Sequence, residues 1–287
     1  MGENALAVKG LTKAYRDFTL DHVSFEVPRG AIVGLIGENG AGKSTTLNAI
    51  LGLVKKDAGS IEILGQPDEE LSPQIRSQIG VVFDGNNYPD MLSARHLNRV
   101  FKNIYPHWDE ARYLSLLKEM ALPLDKAIKA LSKGMKMKLS IAAALSHHAS
   151  LLILDEATSG LDPVVRDDIL DLFLDFVQDE SHSILVSSHI TSDLEKVADY
   201  IVFIHQGKVV FSKPKDELKY QYGIIRCGAA QFEALNKEEI IACRKRDYEW
   251  EVLIADRTAA QRKYPKAVVD PASIDDIMLL HVKGETK

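Results

Sequence analysis

The 287-residue chain carries 35 Lys and Arg against 41 Asp and Glu, a formal net charge of −6, with 46 % hydrophobic and 26 % charged residues. That balance describes an ordinary globular protein with room for one large domain or two unequal ones, and it argues against a nucleic-acid binder held by bulk electrostatics. No apolar run approaches the roughly 20 residues that cross a bilayer, and the N-terminus lacks the basic-then-apolar pattern of a secretion signal. Cys227 and Cys243 have no metal-ligand spacing and read as free thiols of a reducing compartment.

The first segment holds two strand-like pieces, Ala5 to Val8 and Val23 to Val27, the second alternating like a half-buried antiparallel strand. Tyr15 lies between them in a polar turn. Ala31 to Ile36 is a short apolar run that reads as a buried strand, and Thr45 to Leu51 reads as a helix. Between them stands Gly37-Glu38-Asn39-Gly40-Ala41-Gly42-Lys43-Ser44, which fits G-x-x-x-x-G-K-[ST]. The glycines let the backbone wrap a polyphosphate, so that successive N–H groups form an anion nest at a helix start. Lys43 supplies a point charge for the β- and γ-phosphates, and the Ser44 hydroxyl is placed for Mg²⁺. This is a nucleotide site, spanning Gly37 to Thr45.

Further strands are expected at Ser60–Leu64 and Ile79–Phe83. From Ser93 to about His148 the periodicity turns helical, with Leu114, Leu117 and Met120 on one face and Leu139, Ala142, Ala143 and Leu145 on another. A helical subdomain is therefore inserted before the next strand, Leu151–Leu154, which ends in Asp155-Glu156. Asp162 caps a helix to about Val177 with Pro163 at its first position. Strands follow at Ile184–Ser188, Tyr200–Ile204 and Lys208–Phe211, and the charged stretch Pro214–Tyr222 reads as a domain boundary. Beyond it the expected order is strand, helix, strand, strand, helix, strand and a last helix near Ser273–His281, which suits a small split-βαβ sandwich. The lysines at 133, 136 and 138 and the run Arg244-Lys245-Arg246 read as solvated faces.

An acidic pair at a strand end is by itself as much a solvated terminus as a site. Combined with the phosphate loop, it becomes the second half of that site: Asp155 can hold Mg²⁺ and Glu156 can deprotonate the attacking water. A lone histidine such as His189, just past a buried strand, is more often a capping residue.

At this point the chain resembles the ATPase subunit of the ATP-binding cassette (ABC) family over Ala5 to about Leu218. The markers stand in family order: the phosphate loop, Leu131-Ser132-Lys133-Gly134-Met135 in the signature position, Leu154-Asp155-Glu156-Ala157-Thr158, Ser159-Gly160-Leu161-Asp162, and Ser188-His189. The resemblance implies an α/β fold with a parallel-sheet core, an antiparallel N-terminal sheet and a helical subdomain at about 93–148, together filling residues 1–213. A small α+β accessory domain over 223–287 is expected to follow. It also implies a Mg²⁺-dependent ATPase with ATP as cofactor. Two subunits would sandwich two ATP molecules, each ATP meeting the phosphate loop of one subunit and Ser132, Gly134 and Asp162 of the other. Tyr15 matches the aromatic that stacks on adenine, and His189 would reach the γ-phosphate and the water.

The departures from the family pattern are specific. The usual LSGGQ is Leu-Ser-Lys-Gly-Met, so Lys133 adds charge near a partner's phosphates and Met135 removes a polar contact. Asp84 stands where a glutamine normally links Mg²⁺ to the transport subunit, and Asp is the stronger Mg²⁺ ligand of the two. Tyr105-Pro106-His107-Trp108-Asp109 with the altered signature is similar to a bacterial subgroup of bacitracin-resistance and antibiotic-exporter ATPases. The implied partners are a separate transmembrane permease and a second ATPase subunit, identical or sister, at the cytoplasmic face of the membrane, with no nucleic acid expected. The permease is expected to dock along Phe83–Ser93, whose Asn86, Asn87, Tyr88 and Met91 are adaptable side chains. Soluble cassette ATPases of ribosomes or DNA usually carry two cassettes or a long coiled-coil insert. A phosphate-loop kinase of small molecules would need neither the signature nor Ser159–Asp162.

Overall fold

The computed structural model describes residues 4–85 and 88–286. The chain opens with β1 (Asn4–Ala14) and β2 (Thr19–Pro28), an antiparallel pair in which Leu20, Val23, Phe25 and Val27 are buried and alternate with solvated neighbours. Next come β3 (Ile32–Ile36), buried at all five positions, then α1 (Lys43–Ile50). The short strands β4 (Ala58–Ile63) and β5 (Gln66–Pro67) complete a four-stranded antiparallel sheet in the order β2-β1-β4-β5.

One turn of helix, α2 (Pro73–Arg76), leads into β6 (Ile79–Val82). The helical subdomain is α3 (Ala94–Ile104), α4 (Glu110–Glu119) and α5 (Lys133–Ala144), closed around Leu97, Tyr113, Leu116, Leu117 and Leu139. The Tyr113 hydroxyl, inside that core, donates to the Ala94 carbonyl at 3.1 Å, so its burial leaves no unpaired oxygen. The chain then runs through β7 (Leu151–Asp155), α6 (Pro163–Phe176), β8 (Ser183–Ser188), α7 (Thr191–Val197), β9 (Tyr200–His205), β10 (Lys208–Pro214) and α8 (Lys215–Gln221). The main sheet has the order β10-β9-β3-β8-β7-β6, parallel except for β10. Helices α5, α6 and α7 cover one face, and the antiparallel sheet with α1 covers the other, which explains why β3 and Leu151–Leu154 of β7 read as unbroken apolar runs.

The stretch read as a boundary holds the helix α8. Its seven residues bury a single side chain, Leu218, so no period could show, while Asp216 and Glu217 in its first turn and Lys219 in its last suit the helix dipole. After it come β11 (Gly223–Cys227), α9 (Ala229–Glu233), β12 (Ile240–Arg246), β13 (Glu249–Ile254), α10 (Arg257–Lys263), β14 (Val268–Pro271), α11 (Ile274–Lys283) and β15 (Glu285–Thr286). The sheet order is β14-β11-β13-β12-β15, antiparallel throughout. Its first four strands have the split-βαβ order, and β15 adds one short edge strand.

Each face of this sheet belongs to a different core. Ile225, Cys227, Val252 and Ile254 pack with Phe232 of α9 and Ala260 of α10. Ile224, Ala242 and Leu253 on the other face pack with Ile274, Ile277 and Leu280 of α11, in the same buried cluster as Leu194 and Val197 of α7 and Phe203 of β9. The C-terminal unit therefore shares a continuous core with the rest of the chain. Ile277 is fully buried at that junction. Ile277→Ala is expected to lower unfolding stability by about 2–4 kcal/mol in denaturant melts, whereas the partly exposed Leu279→Ala costs under about 1 kcal/mol.

Candidate functional site

The phosphate loop leaves β3 under tight steric limits. A Cβ at Gly37 would come within 2.4 Å of the Ile204 carbonyl oxygen, and Gly42 sits at φ 115 as the N-cap of α1. No side chain caps α1, so its first turn keeps the unpaired N–H groups and positive dipole end that bind anions. Lys43 is only 6 % exposed and folds back over the loop. Its Nζ donates to the Gly37 carbonyl at 2.7 Å and the Glu38 carbonyl at 3.3 Å, and lies 3.3 Å from Glu156 Oε1. A buried ammonium needs such oxygens, since desolvation alone would expel its charge.

The carboxylates are held just as firmly. Ser187 on β8 donates from Oγ to Asp155 Oδ1 at 2.5 Å and accepts the Glu156 N–H at 3.1 Å, so one hydroxyl fixes both acids. Glu156 has φ 51, a left-handed backbone disfavoured for a residue with a Cβ. The Ser187 carbonyl, 3.2 Å from the same amide, helps hold it there. His189 Nδ1 lies 2.6 Å from Glu156 Oε2. An ionised carboxylate only accepts, so Nδ1 carries the proton of that bond.

Lys43, Ser44, Thr45, Asp84, Glu156 and His189 surround one cleft of about 720 Å³, together with Glu38, Asn39, Gly40 and Gly42. Asp17, Phe18 and Ser159 line it as well. Gly37 and Ala41 lie in the loop beneath it, and Asp155 stands behind Glu156 on Ser187. Tyr15 is 47 % exposed, under the Lys13 ammonium at 5.7 Å, and on that side the cleft wall itself is Asp17 and Phe18. Among the described residues no three His, Cys, Asp or Glu side chains converge as a metal cage. Mg²⁺ needs no such cage, since it binds through a few protein oxygens plus phosphates and waters, and Ser44, Asp155 and Asp84 carry such oxygens.

The signature residues lie elsewhere. Ser132 caps α5, accepting the Met135 N–H at 3.2 Å, and Asp162 caps α6, accepting the Val165 N–H at 3.0 Å. Both are exposed, and neither they nor Gly134 line the cleft of their own loop. The Ser132 cap starts α5 at Lys133. Two of the departures from the family pattern meet: Lys133 Nζ is 3.5 Å from Asp84 Oδ1, with both side chains about half exposed.

In the segment 83–93, Asn86 and Asn87 lie outside the described residues. Tyr88 does not offer an adaptable surface. It packs edge-on against Phe101 at 5.8 Å on the helical subdomain, and burial pushes its hydroxyl up to about 12. Met91, by contrast, is 71 % exposed.

A family model described as ABC transporter matches residues 20–159. The bacitracin transport ATP-binding protein BcrA of Bacillus licheniformis is 35 % identical over 212 residues, 73 % of this chain and 69 % of that protein. The lantibiotic transport ATP-binding protein SrtF of Streptococcus pyogenes is 37 % identical over 214 residues, 74 % of this chain and 91 % of that one. The chain belongs to the ABC transporter ATP-binding family. A solved ATP-binding subunit of an ABC transporter superposes with TM-score 0.66 at 32 % identity, covering 75 % of this chain and 92 % of that chain. A dimeric cassette bound to ADP and Pi, at 23 % identity and TM-score 0.65 over 73 % of this chain and 98 % of its own, shares the fold. As a member of this family the chain is a Mg²⁺-dependent ATPase with ATP as cofactor.

Ser187 went unassigned from the sequence because a serine inside an apolar strand has no motif. Only the register of β7 beside β8, with Asp155 opposite Ser187, brings it to the acids. Ser187→Ala is expected to lower kcat about tenfold or more while leaving ATP affinity within about twofold, measured by steady-state hydrolysis and equilibrium binding, because it frees the acids and not the loop.

Proposed function

We propose that the chain is the engine subunit of an exporter of antibiotics, peptides or similar amphiphiles. It would work as one of two ATPase subunits beneath a separate transmembrane permease, at the cytoplasmic face of the membrane. The observation that carries this reading is the position of Ser132, Gly134 and Asp162: exposed or half-exposed at two helix starts, outside the cleft of their own phosphate loop. A second subunit, identical or sister, gives them a nucleotide to contact. The names of BcrA and SrtF support the class of cargo. Among the described residues no helix is long and apolar enough to cross a membrane, so a permease on another chain fits.

In this reading Gly37 to Thr45 cradle the phosphates, Lys43 carries the charge for the β- and γ-groups, and Tyr15 stacks on adenine. Ser44, Asp155 and Asp84 hold Mg²⁺, whose charge offsets that of the phosphates when both are bound. Glu156 is the base toward water. Its Oε2 is fixed by His189, while Oε1 lies against the Lys43 ammonium. Glu156→Gln should keep ATP binding and slow hydrolysis by at least about a hundredfold. Turnover comparable to the unmodified protein would remove Glu156 from the role.

The permease would dock along 83–93 between the parallel sheet and the helical subdomain, with Asp84 at the nucleotide end and Met91 at the solvent-facing end. Met91→Asp is expected to weaken co-purification with the permease while basal hydrolysis of the isolated chain stays within about twofold, since Met91 touches no part of the cleft. Normal assembly of that variant would exclude this docking edge.

A further inference from the structure

His189 stands two residues before α7, and α7 starts without a cap of its own because Ile190 occupies the N-cap position. Its first turn is held from the C-terminal unit. The Thr191 hydroxyl donates to Asp275 Oδ1 on α11 at 2.5 Å, and Glu195 one turn later accepts the Ile274 N–H at 3.0 Å. Thr191 and Glu195 are four residues apart, hence on one helix face. Beneath these bonds Leu194 and Val197 share a buried cluster with Ile274, Ile277 and Leu280. The two helices thus grip one another at the point where the chain leaves the switch histidine.

Asp275 is not needed for its own helix. α11 is already capped by the reciprocal pair of Ser273 and Asp276, whose side chains bond each other's backbone N–H groups at 3.1 Å. The carboxylate of Asp275 therefore spends its hydrogen bond on another element. Thr191 is 2 % exposed, so its hydroxyl depends on that acceptor in place of water. On the other side of His189, the Ser188 Oγ accepts the Ile190 N–H at 2.9 Å. The histidine is pinned between β8 and a helix start whose position is set by α11.

We propose that Asp275 is a positioning residue for hydrolysis: through Thr191 it sets His189 against Glu156, and so ties the rate of ATP hydrolysis to the placement of the C-terminal unit. This rests on the reading of His189 as the residue that orients Glu156. The inference gives the accessory sheet a task in the ATPase cycle, because any partner that shifts α11 would shift the histidine.

The test uses the full chain. Asp275→Ala and Thr191→Val each remove one half of the bond, and the valine keeps the shape of the threonine side chain. Both should lower kcat about threefold to tenfold, with KM for ATP within about twofold, whereas Thr191→Ser, which retains the hydroxyl, should restore at least about half of kcat. In single-turnover measurements on a His189→Ala background, Asp275→Ala should cause no further loss, since its route is already cut. Unchanged kcat in both single variants would overturn the link, as would an undiminished extra loss in the His189→Ala background. If His189→Ala alone leaves kcat unchanged, the role of the histidine falls and the link falls with it. An inactive His189→Ala beside a fully active Asp275→Ala sinks the link alone.

Discussion

A lysine ammonium with almost no access to water must be surrounded by oxygen, and in this chain the oxygens come from two directions. The Gly37 and Glu38 carbonyls lie in the loop that follows β3, while the Glu156 carboxylate lies just past β7. Between those two strands runs β8, carrying Ser187 in register with Asp155. The charge on Lys43 is therefore compatible with burial only while β3, β8 and β7 keep their parallel register. That constraint aligns loop, acids and histidine around one cleft. It also sets one carboxylate, Glu156, against both the Lys43 ammonium and His189.

What the sequence made legible follows from where its information is local. The phosphate loop is eight consecutive residues, β3 and β7 are unbroken apolar runs, and Asp162-Pro163 announces a helix start within two residues. Such features need no knowledge of the rest of the fold. The features that escaped are those that arise only on assembly. Ser187 gains its role from a neighbouring strand, and the seven-residue α8 buries one side chain, too few to display a period. Tyr88 looked adaptable by residue type, yet Phe101 of α3 and the subdomain core draw its ring inward.

The shared core at the C-terminus is a further case. Strand and helix order beyond residue 223 suited a split-βαβ unit, and the sheet has that order. Nothing in the alternation of β11 or β13 told which face would meet another domain, because β11 buries an isoleucine on each face, Ile224 on one and Ile225 on the other. α11 decides the matter by filling the space between that sheet and α7. The consequence is mechanical: the nucleotide-binding sheet and the accessory sheet are joined through packed side chains as well as through the backbone of α8.

On the proposed reading, the same geometry is half of a shared site. Ser132 and Asp162 satisfy helix N–H groups in the isolated chain, and in that reading a second subunit presents the ligand they turn toward. The decisive measurement is sedimentation velocity of the Glu156→Gln protein with Mg²⁺ and either ATP or ADP. If the half-sites complete each other, the protein sediments as a dimer with ATP and as a monomer with ADP. A monomer under both nucleotides in the presence of any sister subunit, or a dimer indifferent to nucleotide, would contradict the account.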